Sequence, residues 1–158
     1  MMKEITLETI KYSRGSRVSR RTRVFDTRVM ELPRIANPAG SITPIEGGID
    51  IPFDIRRIYY LYDVPGGEGR GGHAHLELEQ LVIAASGSFD VVLDDGRTKS
   101  TVTLNRPYHG LLMVPGIWRE IINFSSGAIT LVLASRKYAE SDYIRSYQSF
   151  LDYKNGSS

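Results

Sequence analysis

The chain has 158 residues, 41% of them hydrophobic and 24% charged, with a formal net charge of +2 at pH 7. This length suits one ordinary domain, and the composition excludes a disordered or collagen-like chain. The sequence contains no cysteine, which excludes a disulfide scaffold, a thiolate zinc site, an iron–sulfur cluster and a cysteine nucleophile. The apolar runs are far shorter than the roughly 20 residues of a membrane helix, and the first residues carry no signal-peptide pattern. We therefore predict a cytoplasmic protein without a membrane partner.

Basic charge is concentrated near the N-terminus, where residues 1–30 hold eight Lys or Arg against three Asp or Glu. Clustered arginines can bind the phosphates of nucleic acid. This cluster has no interleaved aromatic residues and no known nucleic-acid-binding motif, so we predict no nucleic-acid partner. We predict a basic N-terminal arm or added strand at 1–35, followed by a single domain at 36–153.

From Ser41 onward, short segments rich in β-branched and aromatic residues alternate with Gly, Pro, Asn and Asp, which is typical of an all-β protein. Asp94-Asp95-Gly96 and Ser86-Gly87-Ser88 predict tight turns, because glycine readily takes the positive φ that such turns require. A jelly-roll barrel of two sheets fits this number of strands and protects their edges. The predicted strands are 41–46, 55–63, 79–86, 89–93, 98–104, 111–114, 118–123 and 129–134.

The segment 140–153 has the periodicity of a helix and not that of the strands before it. Its large apolar residues recur at spacings of three and four, which predicts a short amphipathic helix that closes the domain. These residues are Tyr143, Ile144, Tyr147, Phe150 and Leu151.

The most informative motif lies at 67–80. It resembles the first cupin motif, in which a glycine precedes an H-x-H pair and a glutamate follows it. Gly67, His73 and His75 match this pattern, and Gln80 stands in the place of the glutamate. Residues two apart on a strand share one face, so the two histidines are predicted to project together into the barrel mouth. Such a pair can bind a metal or transfer protons.

A metal site would need further ligands. Imidazole-bound zinc, iron or manganese usually has a third or fourth protein ligand, such as a carboxylate or another histidine. Gln80 replaces the carboxylate, and Arg119 stands where the second cupin motif places a histidine, while His109 lies in a predicted turn. Because a guanidinium group repels a cation, we predict no metal, although a shift of register would let Glu79 act as a ligand.

Three arginines, Arg57, Arg70 and Arg119, are predicted to lie near the histidine pair. Guanidinium groups bind phosphate through paired hydrogen bonds, which favours a phosphorylated or nucleotide-linked substrate. Imidazoles that titrate near neutrality suit removal of a proton next to a carbonyl. Tyr59 shares a strand face with Arg57, and its phenol could donate to an enolate oxygen or serve only in packing. The predicted catalytic residues are His73 and His75, and the predicted substrate-binding residues are Arg57, Tyr59, Arg70 and Arg119.

An ordered set of motifs lies between about Ala36 and Leu151 and includes Ile51-Pro52-Phe53, Arg70-Gly71-x-His73-Ala74-His75, Trp118-Arg119-Glu120 and Asp142-Tyr143-Ile144-Arg145. This set resembles the sugar-nucleotide 3,4-ketoisomerases, a cupin family. The resemblance implies a cupin fold, that is, a double-stranded β-helix, in a homodimer without cofactor or metal. It implies conversion of dTDP-4-oxo-6-deoxyglucose to a dTDP-3-oxo-6-deoxyhexose through an enediol(ate), in deoxysugar biosynthesis, with the histidine pair in proton transfer.

Two departures from the family pattern leave the substrate and the product configuration open. The family usually has D-x-R-G where this chain reads Asn37-Pro38-Ala39-Gly40, and a basic residue where it has Leu76. The first 35 residues show no counterpart in the family. Three other functions remain as alternatives: a sugar-nucleotide 3,5-epimerase, a non-catalytic cupin that binds a sugar nucleotide and, last, a metal-dependent cupin oxygenase.

Overall fold

The computed structural model describes residues 19–156, which form β-strands, two short 3-10 helices and one α-helix in the C-terminal segment. Predictions about residues 1–18 lie outside the described residues. The strands are β1 (Arg28–Glu31), β2 (Ile35–Asn37), β3 (Gly40–Ile42), β4 (Arg57–Leu61), β5 (Arg70–His75), β6 (Gln80–Ser86), β7 (Phe89–Asp94), β8 (Lys99–Leu104), β9 (His109–Met113), β10 (Trp118–Ile122), β11 (Ile129–Ala134) and β12 (Tyr143–Ile144), and the helix is α1 (Tyr147–Lys154).

The strands form two five-stranded sheets and a separate hairpin. One sheet has the order β1-β9-β6-β11-β4, the other has the order β12-β5-β10-β7-β8, and β2 pairs with β3. All pairings within the sheets are antiparallel. The predicted all-β jelly roll with a short C-terminal helix is confirmed. No helix in the part of the chain from 19 to 156 is long and apolar enough to cross a membrane.

The main core lies between the two sheets. Alternate residues of β7, namely Phe89, Val91 and Leu93, are buried against inward-facing residues of the opposite sheet such as Val82 and Leu111. This period-two burial is what antiparallel strands with one packed face produce. The core therefore accounts for the alternation that predicted strands in the sequence.

Both predicted glycine turns are present. Gly87 has φ +67° between β6 and β7, and Gly96 has φ +89° between β7 and β8. Residues other than glycine rarely adopt a positive φ. The Gly96 turn joins the paired strands β7 and β8, in which Phe89 lies opposite Leu104, whereas the Gly87 turn carries the chain from one sheet to the other.

The C-terminal segment differs from its prediction. Glu140–Asp142 is a 3-10 helix, Tyr143–Ile144 is strand β12, and α1 begins only at Tyr147. Tyr143 and Ile144 pair with His75 and Ala74 of β5, so their apolar side chains belong to a sheet edge. The hydroxyl of Ser146 accepts a hydrogen bond from the Ser149 backbone N–H, which caps the helix at its observed start.

Other strand limits also shift. The predicted strand 41–46 is only Gly40–Ile42, because β3 pairs with β2 in a small hairpin and with neither barrel sheet. Strand β5 begins at Arg70, inside the glycine-rich segment 64–72. Arg28–Glu31 forms a strand that pairs with β9. An added strand was one of the two alternatives predicted for the N-terminal segment. The domain limit at residue 36 stays a prediction.

Helix α1 and the segment after residue 19 support the strand that carries the histidines. Phe150 is fully buried against Trp118 and Ala74, the residue between the two histidines. The ammonium of Lys154 donates to the backbone oxygens of Ser19, Thr22 and Gly116 at 2.7–3.1 Å. The two ends of the described chain are thereby held together beside β5.

Candidate active site

A cavity of about 450 Å³ opens between the two sheets at one end of the barrel. It receives side chains from β4, β5, β6, β10 and β12, so residues far apart in the sequence meet there. Apolar side chains such as Val82, Val91 and Met113 also line it. All four predicted substrate-binding residues line this cavity together with His73; the four are Arg57, Tyr59, Arg70 and Arg119.

His73 and His75 lie side by side on β5, as the spacing predicts. Their ring centroids are 4.8 Å apart in an edge-to-face arrangement. The Tyr143 ring packs on both, with its centroid 5.1 Å from that of His73 and 4.4 Å from that of His75. His73 faces the cavity, whereas His75 is buried behind Tyr143 at 1% exposure and borders an adjoining cavity of about 630 Å³.

Asp142 hydrogen-bonds to the buried His75. Its carboxylate lies 3.2 Å from Nδ1 of His75 and accepts backbone hydrogen bonds from Glu77 and Leu78. A carboxylate only accepts, so Nδ1 of a neutral His75 carries the hydrogen. The lone pair therefore lies on Nε2, a buried atom with no hydrogen-bond partner among residues 19–156.

Both imidazoles are strongly biased toward the neutral form. Burial and the nearby Arg119 charge lower the pKa of His73 to about 2. Burial lowers the pKa of His75 to about 4, partly opposed by its hydrogen bond to Asp142. Each neutral imidazole has a free lone pair at pH 7 and is in the form that accepts a proton. The low pKa values differ from the titration near neutrality expected from the sequence, and they make both rings weaker bases than a free imidazole.

Arg119 places a positive charge inside the barrel. Its side chain is 4% exposed, and Nε and Nη2 both donate to the backbone oxygen of Ile117. Burial lowers the pKa of Arg119 to about 10, which leaves the guanidinium charged at pH 7. Nη1 donates to Oε1 of Gln80 at 2.6 Å, and Nε2 of Gln80 donates to the Tyr59 hydroxyl at 3.0 Å.

The outer part of the cavity is basic and aromatic. Arg57 lies 4.9 Å from the Tyr59 ring centre and 5.4 Å from that of Tyr138. Arg145 covers the Tyr143 ring at 4.2 Å. Planar guanidinium and phenol groups in this arrangement suit a ligand that carries both phosphates and a flat ring.

Several residues at the site were not predicted as such. Asp142, Tyr143 and Arg145 belong to a motif quoted for the family resemblance, but their spacing was interpreted as part of a helix. Tyr138 had no sequence signal. Ala39, where the family usually has arginine, lies at the exposed turn between β2 and β3, and its backbone N–H donates to the Asn37 side chain.

The donor set differs from that of a metal-binding cupin. Among the residues that the structure describes, no three His, Asp or Glu side chains converge as metal ligands. Gln80 and Arg119 occupy the places of the expected ligands and hydrogen-bond to each other. Glu79 is not brought into the cavity that His73 lines.

Comparisons with known proteins identify the family of this chain. The family described as FdtA: WxcM-like, C-terminal, matches residues 25–155. The chain belongs to this family. The match begins before residue 36, so the expectation that the first 35 residues lack a counterpart is wrong for 25–35.

Individual proteins are similar to this chain over most of its length. A TDP-4-oxo-6-deoxy-alpha-D-glucose-3,4-oxoisomerase of Aneurinibacillus thermoaerophilus is 43% identical over 82% of this chain and 93% of its own. A 3,4-ketoisomerase from Helicobacter canadensis is 45% identical with a TM-score of 0.80, covering 82% and 98% of the two chains. A histidine-to-asparagine mutant of the QdtA 3,4-ketoisomerase from Thermoanaerobacterium thermosaccharolyticum, solved with TDP-4-keto-6-deoxyglucose, is 39% identical with a TM-score of 0.83, covering 85% and 97%. The predicted family is confirmed.

The two histidines should make the free energy of unfolding depend on pH, because partial burial of His73 and full burial of His75 favour the neutral form of each ring. Their pKa values in the folded protein lie below the ordinary value of 6.5, so below that pH the unfolded chain binds protons that the folded protein does not. The free energy of unfolding should therefore decrease from about pH 6.5 toward about pH 4 by up to about 1.4 kcal/mol per pH unit for each histidine. Urea unfolding at a series of pH values measures this slope. The slope should be shallower for His73→Asn. An unchanged slope would contradict the lowered pKa of His73 in the folded protein.

Proposed function

We propose that the protein is an isomerase, a metal-independent TDP-sugar 3,4-ketoisomerase that converts TDP-4-oxo-6-deoxyglucose to a TDP-3-oxo-6-deoxyhexose in deoxysugar biosynthesis. The observation that carries the proposal is the neutral imidazole of His73 at the wall of a cavity that also holds the buried Arg119 charge and the Tyr59 hydroxyl. Similarity to 3,4-ketoisomerases across most of the chain supports it.

The reaction moves a carbonyl between adjacent carbons without a change in total oxidation state. His73 removes the proton from C3, and the electrons of that C–H bond form the C3–C4 double bond while the carbonyl electrons move onto O4. The enediol(ate) then takes a proton at C4 and one at O4, while O3 loses its proton and becomes the new carbonyl oxygen. Proton transfer is the one kind of chemistry that this sequence requires, and imidazole is suited to it.

Each predicted side chain has a role in this scheme. His73 is the base that faces the cavity, and His75, with Nδ1 held by Asp142, is the second group of the proton-transfer pair. Arg119 and the Tyr59 hydroxyl stabilise the negative charge that develops on the oxygen. Arg57 and Arg70 bind the diphosphate at the outer part of the cavity.

The assay that tests the function follows the sugar by NMR in deuterium oxide, with purified protein, TDP-4-oxo-6-deoxyglucose and no added metal. We expect a 3-oxo product with deuterium at C4, and its coupling constants give the configuration. Deuterium at C5 instead would identify a 3,5-epimerase. Binding of the sugar nucleotide without exchange or product would identify a non-catalytic binding protein.

We further propose that the protein acts as a homodimer in the cytoplasm. The outward face of the edge strand β4 exposes Ile58 and Tyr60, each at 60%, and the β2–β3 hairpin exposes Ile35 and Ile42. Exposed apolar side chains near an unpaired strand edge suit a contact with a second copy. Sedimentation equilibrium that gives a strict monomer would contradict the dimer.

A further inference from the structure

Gln80 connects two polar groups of the site, and the direction of each hydrogen bond follows from chemistry. The residue is 2% exposed and lies at the start of β6. A guanidinium group has donors and no acceptor, so the atom of Gln80 that lies 2.6 Å from Arg119 Nη1 must be the amide oxygen. The amide nitrogen therefore faces the Tyr59 oxygen, 3.0 Å away, and donates to it.

This direction determines what the Tyr59 hydroxyl can do. Its oxygen accepts from Gln80, so its own hydrogen is not used in that bond. Within 19–156, Gln80 is the hydroxyl's one hydrogen-bond partner. Tyr59 lines the cavity beside His73, so its hydrogen can be donated to a molecule bound there.

We propose that Gln80 is a positioning residue that keeps Tyr59 as a hydrogen-bond donor toward the substrate oxygen on which negative charge develops. The inference rests on the proposed function, because that reaction places the charge on O4. Arg119 fixes the amide of Gln80, the amide fixes the phenol, and the phenol points its hydrogen into the cavity. Donors that are oriented before the charge appears stabilise it without reorganisation.

The proposal accounts for the departure of this chain from the first cupin motif. A glutamate at residue 80 would present acceptors only. It would accept the Tyr59 hydrogen, which would withdraw the donor from the cavity, and it would pair with Arg119, which would neutralise the internal charge. Glutamine leaves both the donor and the positive charge available to the substrate.

The test is a double-mutant cycle on the intact protein with Gln80→Glu and Tyr59→Phe, measured as kcat and KM for TDP-4-oxo-6-deoxyglucose. We expect Gln80→Glu to lower kcat by about 100-fold, the typical effect of losing one oxyanion donor, with a smaller change in KM. In the Tyr59→Phe background the same change should cost at least about tenfold less, because there is no hydroxyl to reorient. Circular dichroism and thermal unfolding check that each variant is folded.

Gln80→Met provides a second variant that keeps the Arg119 charge and removes the amide. It should also lower kcat and should also lose most of its effect in the Tyr59→Phe background. Equal losses for Gln80→Met in the two backgrounds would overturn the role of Gln80 while the wild-type protein remains a ketoisomerase. A wild-type protein without conversion of the substrate would overturn the proposed function and this role with it.

Discussion

Replacing His73 with asparagine should abolish turnover while the protein stays folded. Asparagine keeps a polar side chain of similar reach but cannot accept a proton at neutral pH, so the base at the wall of the cavity is lost. We expect kcat to fall by about 10³-fold or more, within the range for general-base removal. Deuterium incorporation at C4, followed by NMR, measures the loss, and binding of TDP should be retained.

His109→Asn is the matched control for this variant. His109 lies at the start of β9, with its ring 4.8 Å from that of Tyr108, and it does not line the cavity of His73. Its replacement should leave kcat at the wild-type value. A His73→Asn protein with normal turnover would show that a different group removes the C3 proton.

Asp142→Asn should also lower kcat strongly, because it reverses the hydrogen bond to His75. The asparagine oxygen can keep the backbone contact to Glu77, and its NH₂ group would then face Nδ1 and donate to it, while the hydrogen bond from the Leu78 N–H is lost. His75 would shift its hydrogen to Nε2 and lose the lone pair on that atom. We expect kcat to fall by about 10²- to 10⁴-fold, the scale of an analogous change in a serine protease triad.

Nitrogen NMR of the histidine side chains separates this effect from a general loss of structure. His75 should carry its hydrogen on Nδ1 in the wild-type protein and on Nε2 in the variant. Asp95→Asn is the control, since Asp95 also accepts backbone hydrogen bonds, from Val24, Arg97 and Thr98, but lies outside the cavity. It should lower the free energy of unfolding by about 1–3 kcal/mol with kcat unchanged. An unchanged tautomer in Asp142→Asn would contradict the positioning role.

The period-two alternation of the strands and the glycine turns were sufficient to predict a two-sheet barrel. They also predicted that His73 and His75 share one face, because strand geometry is local and follows directly from spacing. The roles of the six predicted site residues stay predictions, although His73 and the four substrate-binding residues line one cavity. The cytoplasmic location and the dimer likewise stay predictions.

What the sequence could not predict depends on contacts between distant segments. Asp142 lies 67 residues from His75, and only the pairing of β12 with β5 brings them together. The periodicity of Tyr143 and Ile144 with Tyr147 suggested one helix, because a spacing rule cannot detect that a two-residue strand pairs with a sheet edge. Gln80 could be interpreted as a lost metal ligand, but its contact with Arg119 across the barrel becomes visible only in the fold.

Trp118 gives the protein a fluorescent reporter of its own. It is the one tryptophan in the sequence, 8% exposed, with its ring centroid 5.4 Å from that of Tyr147 and 5.8 Å from that of Phe150. Its emission therefore reports the docking of α1 on the sheet that carries the histidines, and exposure to water on unfolding should move that emission to longer wavelength. Because Arg119 follows it on β10, a change in emission when a sugar nucleotide binds would report the filling of the barrel without any added label.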